Sequence, residues 1–392
     1  MNKSVGELVA KIVLCVLLSG VILFLGFFAS LIVSLAGGAL FYAPLVLVVA
    51  AVLVVSLAFL MFLPKRHRRK LYFSLLAVVI LGGVTTAGYE IRQAYHQRIP
   101  VVSDQEVDMW PYRPFVDTGK LAVLPEPSQL TLTEDLPRLD GATALYPLYA
   151  AFAQAVYPRQ EYDLYDSEVM VNTTPVAYKN LIEGRADIIF AAAPSEGQIA
   201  AARKQGKELK LTPIGREAFV FFVNASNPVT GLTTEQIRGI YSGEITRWSE
   251  VGGRNERIRA FQRPEDSGSQ TMLIRVMDGR ELATPPKENV ASGMGGIISR
   301  TADYRNYKNA LGYSFLYYAT EMVNNGNIRL LAIDGVKPER ATIASGEYPF
   351  AAEFYAVTAG SDNPNVERLI EWIQSSQGQY LVEQTGYTPL VP

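Results

Sequence analysis

Positions 12 to 64 hold no charged side chain, a run of 53 residues. A water-soluble core does not need an uncharged run of that length. A helix crossing about 30 Å of hydrocarbon needs roughly 20 apolar residues. Residues 12–36 supply one such span and residues 41–63 a second, separated by Gly37 and Gly38. Residues 71–89 supply a third, more weakly apolar because it carries Gly82, Gly83, Thr85 and Thr86. A buried core helix is the alternative for any one stretch. A cleaved leader could account for the first only, and its apolar part would be too long. Residues 1–90 are therefore expected to form a three-helix transmembrane anchor.

Five fixed positive charges at Lys65, Arg66, Arg68, Arg69 and Lys70 lie between the second and third spans. Basic loops of this kind stay on the cytoplasmic side. The N-terminus, with Lys3 and Lys11, then also lies inside, and residues from about 90 to 392 are extracytoplasmic. The expected location is the plasma membrane, multi-pass. A basic cluster can instead bind nucleic acid, but this one is wedged between two apolar spans. The one cysteine, Cys15, falls within the first span, so the distal part can form no disulfide. Residues 100–392 carry 27 basic and 36 acidic side chains. Such a surplus of negative charge argues against a nucleic-acid or anionic-lipid partner.

The chemistry open to the distal part is narrowed by what it lacks. The only histidines are His67, in the basic loop, and His96, beside the third span. A serine triad, a cysteine–histidine pair or a His/Cys metal site needs residues that are absent there. There is no phosphate loop of the GxxxxGK[ST] kind either. Binding is favoured over catalysis, with no cofactor and no metal expected.

Residues 91–138 read as a stalk, turn-rich and broken by six prolines from Pro100 to Pro137. Such a stretch tends to be extended and semi-rigid. From Leu139 onward short apolar runs alternate with helical windows. Strands are expected at 169–171, 187–191, 219–223, 258–261, 310–315 and 354–357. Helices are expected at 146–156, 175–183, 234–242, 270–277 and 366–385. That alternation indicates an α/β domain.

Three junctions feed a turn into a helix. They are Asp140-Gly141-Ala142-Thr143-Ala144, Asn172-Thr173-Thr174-Pro175, and Arg263 through Ser267-Gly268-Ser269-Gln270. Each places hydroxyls and open backbone N–H groups at the positive end of a helix dipole, where an anion can be held without a metal. Arg263 adds a planar donor fork suited to an oxyanion. Taken singly, each junction is also what ordinary helix capping looks like. Only convergence on one cleft makes them a site.

The run from Leu139 to Pro392 resembles the phosphate-binding proteins of the phosphate ABC transporter, within the type II periplasmic binding superfamily. The first junction, continuing into Tyr146-Pro147-Leu148-Tyr149, is similar to that family's first anion loop. Leu232-Thr233-Thr234-Glu235-Gln236-Ile237, followed by Tyr241-Ser242-Gly243-Glu244-Ile245-Thr246-Arg247-Trp248 and Val251-Gly252-Gly253, resembles its most recognisable stretch. Arg263 with Ser267-Gly268-Ser269 resembles its R-x-x-x-S-G-[ST] loop. Trp372-Ile373, Gly378 to Val382 and Gly386 to Leu390 resemble its closing helix and tail.

The resemblance implies a two-lobed fold closing on one anion at a hinge. The first lobe would comprise 139–220 and 355–392, and the second 221–354, with crossovers near 219–223 and 351–357. It also implies a ligand set: Thr143 and Ala144, then Thr173 and Thr174, then Arg263, Ser267, Gly268 and Ser269. Phosphate or a similar oxyanion is the implied ligand and an ABC permease the implied partner. One departure stands out. Where the family often has Ser-Asp, whose carboxylate takes a proton from hydrogen phosphate and repels sulfate, this chain has Ala191-Ala192. Phosphate held less selectively, another oxyanion, a larger phosphorylated molecule and loss of binding all stay open. The anchor departs too, because three spans exceed what a tether needs. Small residues Gly20, Gly26, Ser30 and Ser34 in the first span would permit a membrane partner to approach closely. A membrane-bound anion sensor is the rival use of the same fold, and a hydrolase of phosphorylated compounds lacks the side chains it would need.

Overall fold

The computed structural model describes residues 3–97, 101–102, 108–263, 266–284, 304–305, 307–322 and 327–390. The chain divides into two compact units, one built on the N-terminal helices and the other on the residues from 108 onward.

In the first unit, α1 (Lys3–Val33) ends in a wider turn at Ser34–Gly38, where Gly37 takes a left-handed φ of 93°. The chain then reverses into α2 (Tyr42–Phe62), and α3 (Arg68–Gln97) follows the basic loop. All three helices are long and apolar enough to cross a membrane. Two of the small residues of α1, Gly26 and Ser30, face α2. A Cβ on Gly26 would lie 2.6 Å from the Ala50 methyl, and Ser30 donates to the Ala43 carbonyl at 3.0 Å. Close α1–α2 packing consumes Gly26 and Ser30, while Gly20 has nothing within 4 Å.

The second unit is a mixed α/β structure on one seven-stranded sheet. Its strands are β1 (Leu139–Gly141), β2 (Ile188–Ala191), β3 (Lys210–Asn224), β4 (Arg259–Ala260), β5 (Ala310–Phe315), β6 (Ile328–Leu330) and β7 (Ala351–Thr358). The order is β1-β2-β7-β3-β5-β4, with β6 also on β3. Strand β3 is shared between two halves. Its residues up to Ala218 pair with β7, and from Phe219 onward they pair with β5. Two main cores form on either side of that switch. One gathers Tyr149, Phe152, Phe190, Leu369, Ile373 and Leu381, and the other Phe221, Ile237, Trp248, Leu273, Leu311 and Ile333. Each half is thus a lobe with its own apolar interior, joined through continuous strand.

Helices α4 (Tyr146–Val156), α5 (Thr174–Ile182), α6 (Glu196–Lys204), α7 (Thr234–Ser242) and α8 (Gly268–Met277) lie close to the expected windows, α6 excepted, which the sequence pattern did not mark. Two expectations fail. Residues 366–385 are not one helix. Ser375, with ψ of 170°, splits them into α9 (Asn365–Gln374) and α10 (Ser376–Thr385), and a Cβ on Gly378 would run into the Ile373 carbonyl. Residues 169–171 form no strand beyond the single bridge Val169 makes to Leu139.

The stalk is also revised. Helix α3 reaches Gln97, and residues 109–136 are draped over the first lobe. Met109 and Leu132 are buried in its core, with Tyr112, Phe115, Leu124, Leu130 and Leu136 packed against it. Backbone and side-chain bonds pin the strap: Leu132 N–H to Val156 O at 2.9 Å, Phe115 N–H to Gln154 at 2.7 Å, and Asn365 to the Glu134 and Asp135 carbonyls at 3.1 Å. The prolines break regular structure here, but the apolar side chains between them still remove enough surface from water to dock the segment.

Candidate functional site

Seven of the eight residues singled out by sequence meet at one place. Thr143, Ala144, Thr173, Thr174, Ser267, Gly268 and Ser269 line a single cavity of about 60 Å³, together with Ala142, Pro175, Ser314, Phe315 and Tyr318. A water needs roughly 10–15 Å³ on this measure. The space is large enough for a small group such as a tetrahedral oxyanion.

Local sequence explains why the lining is rich in donors. The first N–H groups of a helix have no partner within it. At α8, Ser267 caps the Gln270 N–H at 3.2 Å, which leaves the N–H groups of Gly268 and Ser269 directed at the helix entrance. At α5, Thr173 is the N-cap but makes no capping bond with its hydroxyl, and Pro175 brings no N–H. The short 3₁₀ turn Thr143–Leu145 likewise starts without a side-chain cap. Three helix or turn entrances thus line one small hollow, with the Ser267 hydroxyl accepting from the Gln270 N–H and the Thr143 hydroxyl donating to the Asn172 carbonyl at 3.5 Å.

The first two loops are tied together from behind by Asp140, which is fully buried. Its carboxylate accepts from the Gly141 N–H at 2.8 Å, from Asn172 at 3.0 and 3.1 Å, and from Asn180 at 2.7 Å. Burial raises its pKa above the ordinary range, and the bonds from Asn180, Gly141 and Asn172 partly offset this. Gly141 is obligatory here, since a Cβ would come within 2.5 Å of the Phe190 carbonyl. The third loop comes into van der Waals contact with the second. A Cβ on Gly268 would lie 3.4 Å from Thr174 Oγ1 and 3.4 Å from the Ala192 methyl.

Arg263 is not among the lining residues. Its backbone N–H donates to Tyr313 Oη at 2.8 Å and Gln270 Oε1 at 2.9 Å, on the second-lobe side of the cavity. The lining carries no charged side chain among the described residues. Ala192 is buried, and its carbonyl accepts from Tyr178 at 2.8 Å, so the position matching the family's carboxylate offers the cavity no acceptor. Sequence reasoning missed Ser314, Phe315 and Tyr318, which come from the end of β5 and the turn after it. No local motif marks them.

A sheet shared by two lobes, with a small donor-lined cavity where they meet, defines a two-lobed ligand-binding protein. The chain belongs to the PBP superfamily, whose domain model matches residues 132–377. It is similar to the phosphate-binding protein PstS of Bacillus subtilis, 27% identical over 257 residues, covering 64% of this chain and 80% of that one. PstS of Borreliella burgdorferi is also 27% identical, over 185 residues, 45% of this chain and 65% of the relative. Among solved structures it is similar to a putative phosphate ABC transporter substrate-binding protein with bound phosphate from Clostridium perfringens. That match has 23% identity and a TM-score of 0.48, over 66% of this chain and 99% of the other.

Proposed function

We propose that this chain is a membrane-anchored, extracytoplasmic binding protein for phosphate or a closely similar oxyanion, delivering its ligand to an ABC permease. The observation that carries the reading is the meeting of three helix-entrance turns around a cavity of about 60 Å³. Neutral dipoles of this kind hold an anion without the desolvation cost of burying a countercharge beside it. Relatives described as phosphate-binding proteins support the ligand and favour binding over catalysis. The proposed contacts are Thr143, Ala144, Thr173, Thr174, Ser267, Gly268 and Ser269, with Arg263 acting from outside the lining by its charge.

Calorimetry on the full chain in detergent, with phosphate and sulfate titrated separately, tests this reading. Phosphate binding is expected, with sulfate within about tenfold of it, because Ala192 supplies no proton acceptor. Arg263→Ala is expected to weaken phosphate about tenfold, a loss of roughly 1.4 kcal/mol. Undetectable binding of both anions by the unaltered chain would sink the proposal, and an unchanged affinity in the variant would remove Arg263 from it.

Anchoring rests on the three apolar helices and the basic 65–70 loop. A cysteine at exposed Val123 should react with a membrane-impermeant maleimide in intact cells, whereas one at Arg66 should react only after lysis. The reverse pattern would invert the topology.

A further inference from the structure

Asp266 stands immediately before the third anion turn, where a free carboxylate would repel an anionic guest. It is turned away from the cavity. Its Oδ1 accepts from the Ser195 hydroxyl at 2.5 Å, and its backbone carbonyl accepts from Gln198 Nε2 at 3.1 Å. Ser195 and Gln198 form the capping box at the start of α6, which packs with α5 in the first lobe. Asp266 leads into α8, whose Leu273, Val276 and Met277 belong to the core of the second lobe. The contact therefore crosses the cleft. A second crossing bond lies beside it, from Arg275 of α8 to the Pro194 carbonyl at 3.3 Å.

Two further details show that the contact is built in. Asp266 holds a left-handed φ of 63°, a region that Asp tolerates better than most residues. On the facing side position 197 is glycine, and a Cβ there would lie 3.3 Å from Asp266 Oδ1. The carboxylate thus rests at the positive end of the α6 dipole, which offsets its charge.

We infer that Asp266 is a cross-cleft positioning residue: its bonds to Ser195 and Gln198 tie the lobes shut, hold the Ser267-Gly268-Ser269 turn over the cavity, and set how fast the guest leaves. This inference rests on the anion-binding reading of the same cleft. Asp266 touches no guest. It acts through the turn that follows it and through the population of the closed form, so its loss should speed release rather than slow capture.

Asp266→Gly isolates the effect, because glycine keeps the left-handed backbone at no steric cost and removes only the carboxylate. With the full chain in detergent, chase of radiolabelled phosphate should show release about tenfold faster, at an unchanged or higher melting temperature. A merely structural residue would lower the melting temperature instead. Ser195→Asp keeps the α6 cap but sets a like charge against Asp266, and should speed release at least as much. In an Asp266→Gly background the same change should add nothing. Release within twofold of the unaltered chain in Asp266→Gly, or an equal Ser195→Asp effect in both backgrounds, overturns the inference. A chain that binds neither phosphate nor sulfate fails the anion reading, and the latch is then decided by distance. Spin labels at Glu367→Cys and Lys337→Cys, with Cys15→Ser, should report a wider separation in Asp266→Gly, and an identical distribution overturns the latch.

Discussion

Gly268→Val is expected to abolish anion binding while the chain still folds. Gly268 is the first residue of α8 and lies in the cavity wall. Its nearest neighbours along the Cβ direction are the Ala192 methyl and Thr174 Oγ1 at 3.4 Å and the Phe315 ring at 3.7 Å, which are ordinary contact distances. An alanine therefore fits. Valine adds two more methyl groups, which must occupy most of about 60 Å³ or prop the lobes apart. Either outcome evicts a guest of five heavy atoms. The fold has little at stake, because the first turn of a helix tolerates a β-branched residue for under about 1 kcal/mol. Calorimetry should give more than a hundredfold loss for valine and less than tenfold for alanine, with both melting within a few degrees of the unaltered chain. A valine variant that binds within tenfold would mean that the guest sits elsewhere.

The parts of this architecture that sequence discloses are those whose causes are local. Helix α7 is bounded by a Thr233–Gln236 capping box and by Gly243, which takes a left-handed φ of 85°. Pro147 and Pro175 mark helix starts because their missing N–H groups cost nothing there. Thr143, Thr173 and Ser267 were readable as candidate anion donors for the same reason, since capping chemistry and anion chemistry use the same groups. Where the cause is distant, the reading fails. Leu130 and Leu132 find their apolar partners across the fold, next to Val156, and no periodicity within 109–136 announces a docked strap. Ser314 and Phe315 end a strand like any other, and only the approach of the first lobe turns them into cavity wall. Arg263 stands apart: its backbone N–H donates to Gln270 and Tyr313, and the residue is not part of the cavity lining.

The largest effect on stability is expected at Glu217, one residue before β3 changes partners. Its side chain is buried, and its carboxylate accepts the Tyr317 N–H at 2.6 Å. Burial pushes its pKa up to about 8, against a partial offset from that bond. The native state thus keeps a proton that the unfolded chain gives up near pH 4.5. Since the unfolded state binds fewer protons between those values, stability falls as pH rises through that window. The contribution is complete below about pH 4.5 and lost above about pH 8, with a span on the order of 3–5 kcal/mol. Glutamine has the same shape, stays neutral and can still accept from Tyr317. Glu217→Gln should therefore match the unaltered chain at pH 5 and exceed it by several kcal/mol at pH 9. The groups around Glu217 sharpen the consequence for binding. The Tyr317 and Tyr387 rings pack at a tilt with centroids 4.7 Å apart, Tyr387 donates to the Ala144 carbonyl in the first turn of the candidate site, and Tyr318 lines the cavity. A charge forced onto Glu217 in alkaline solution is felt by the hinge and by the back of the site together. Urea unfolding at pH 5, 7 and 9 reads the stability directly, and identical pH slopes for the two chains would show that Glu217 is ionised in the native hinge after all.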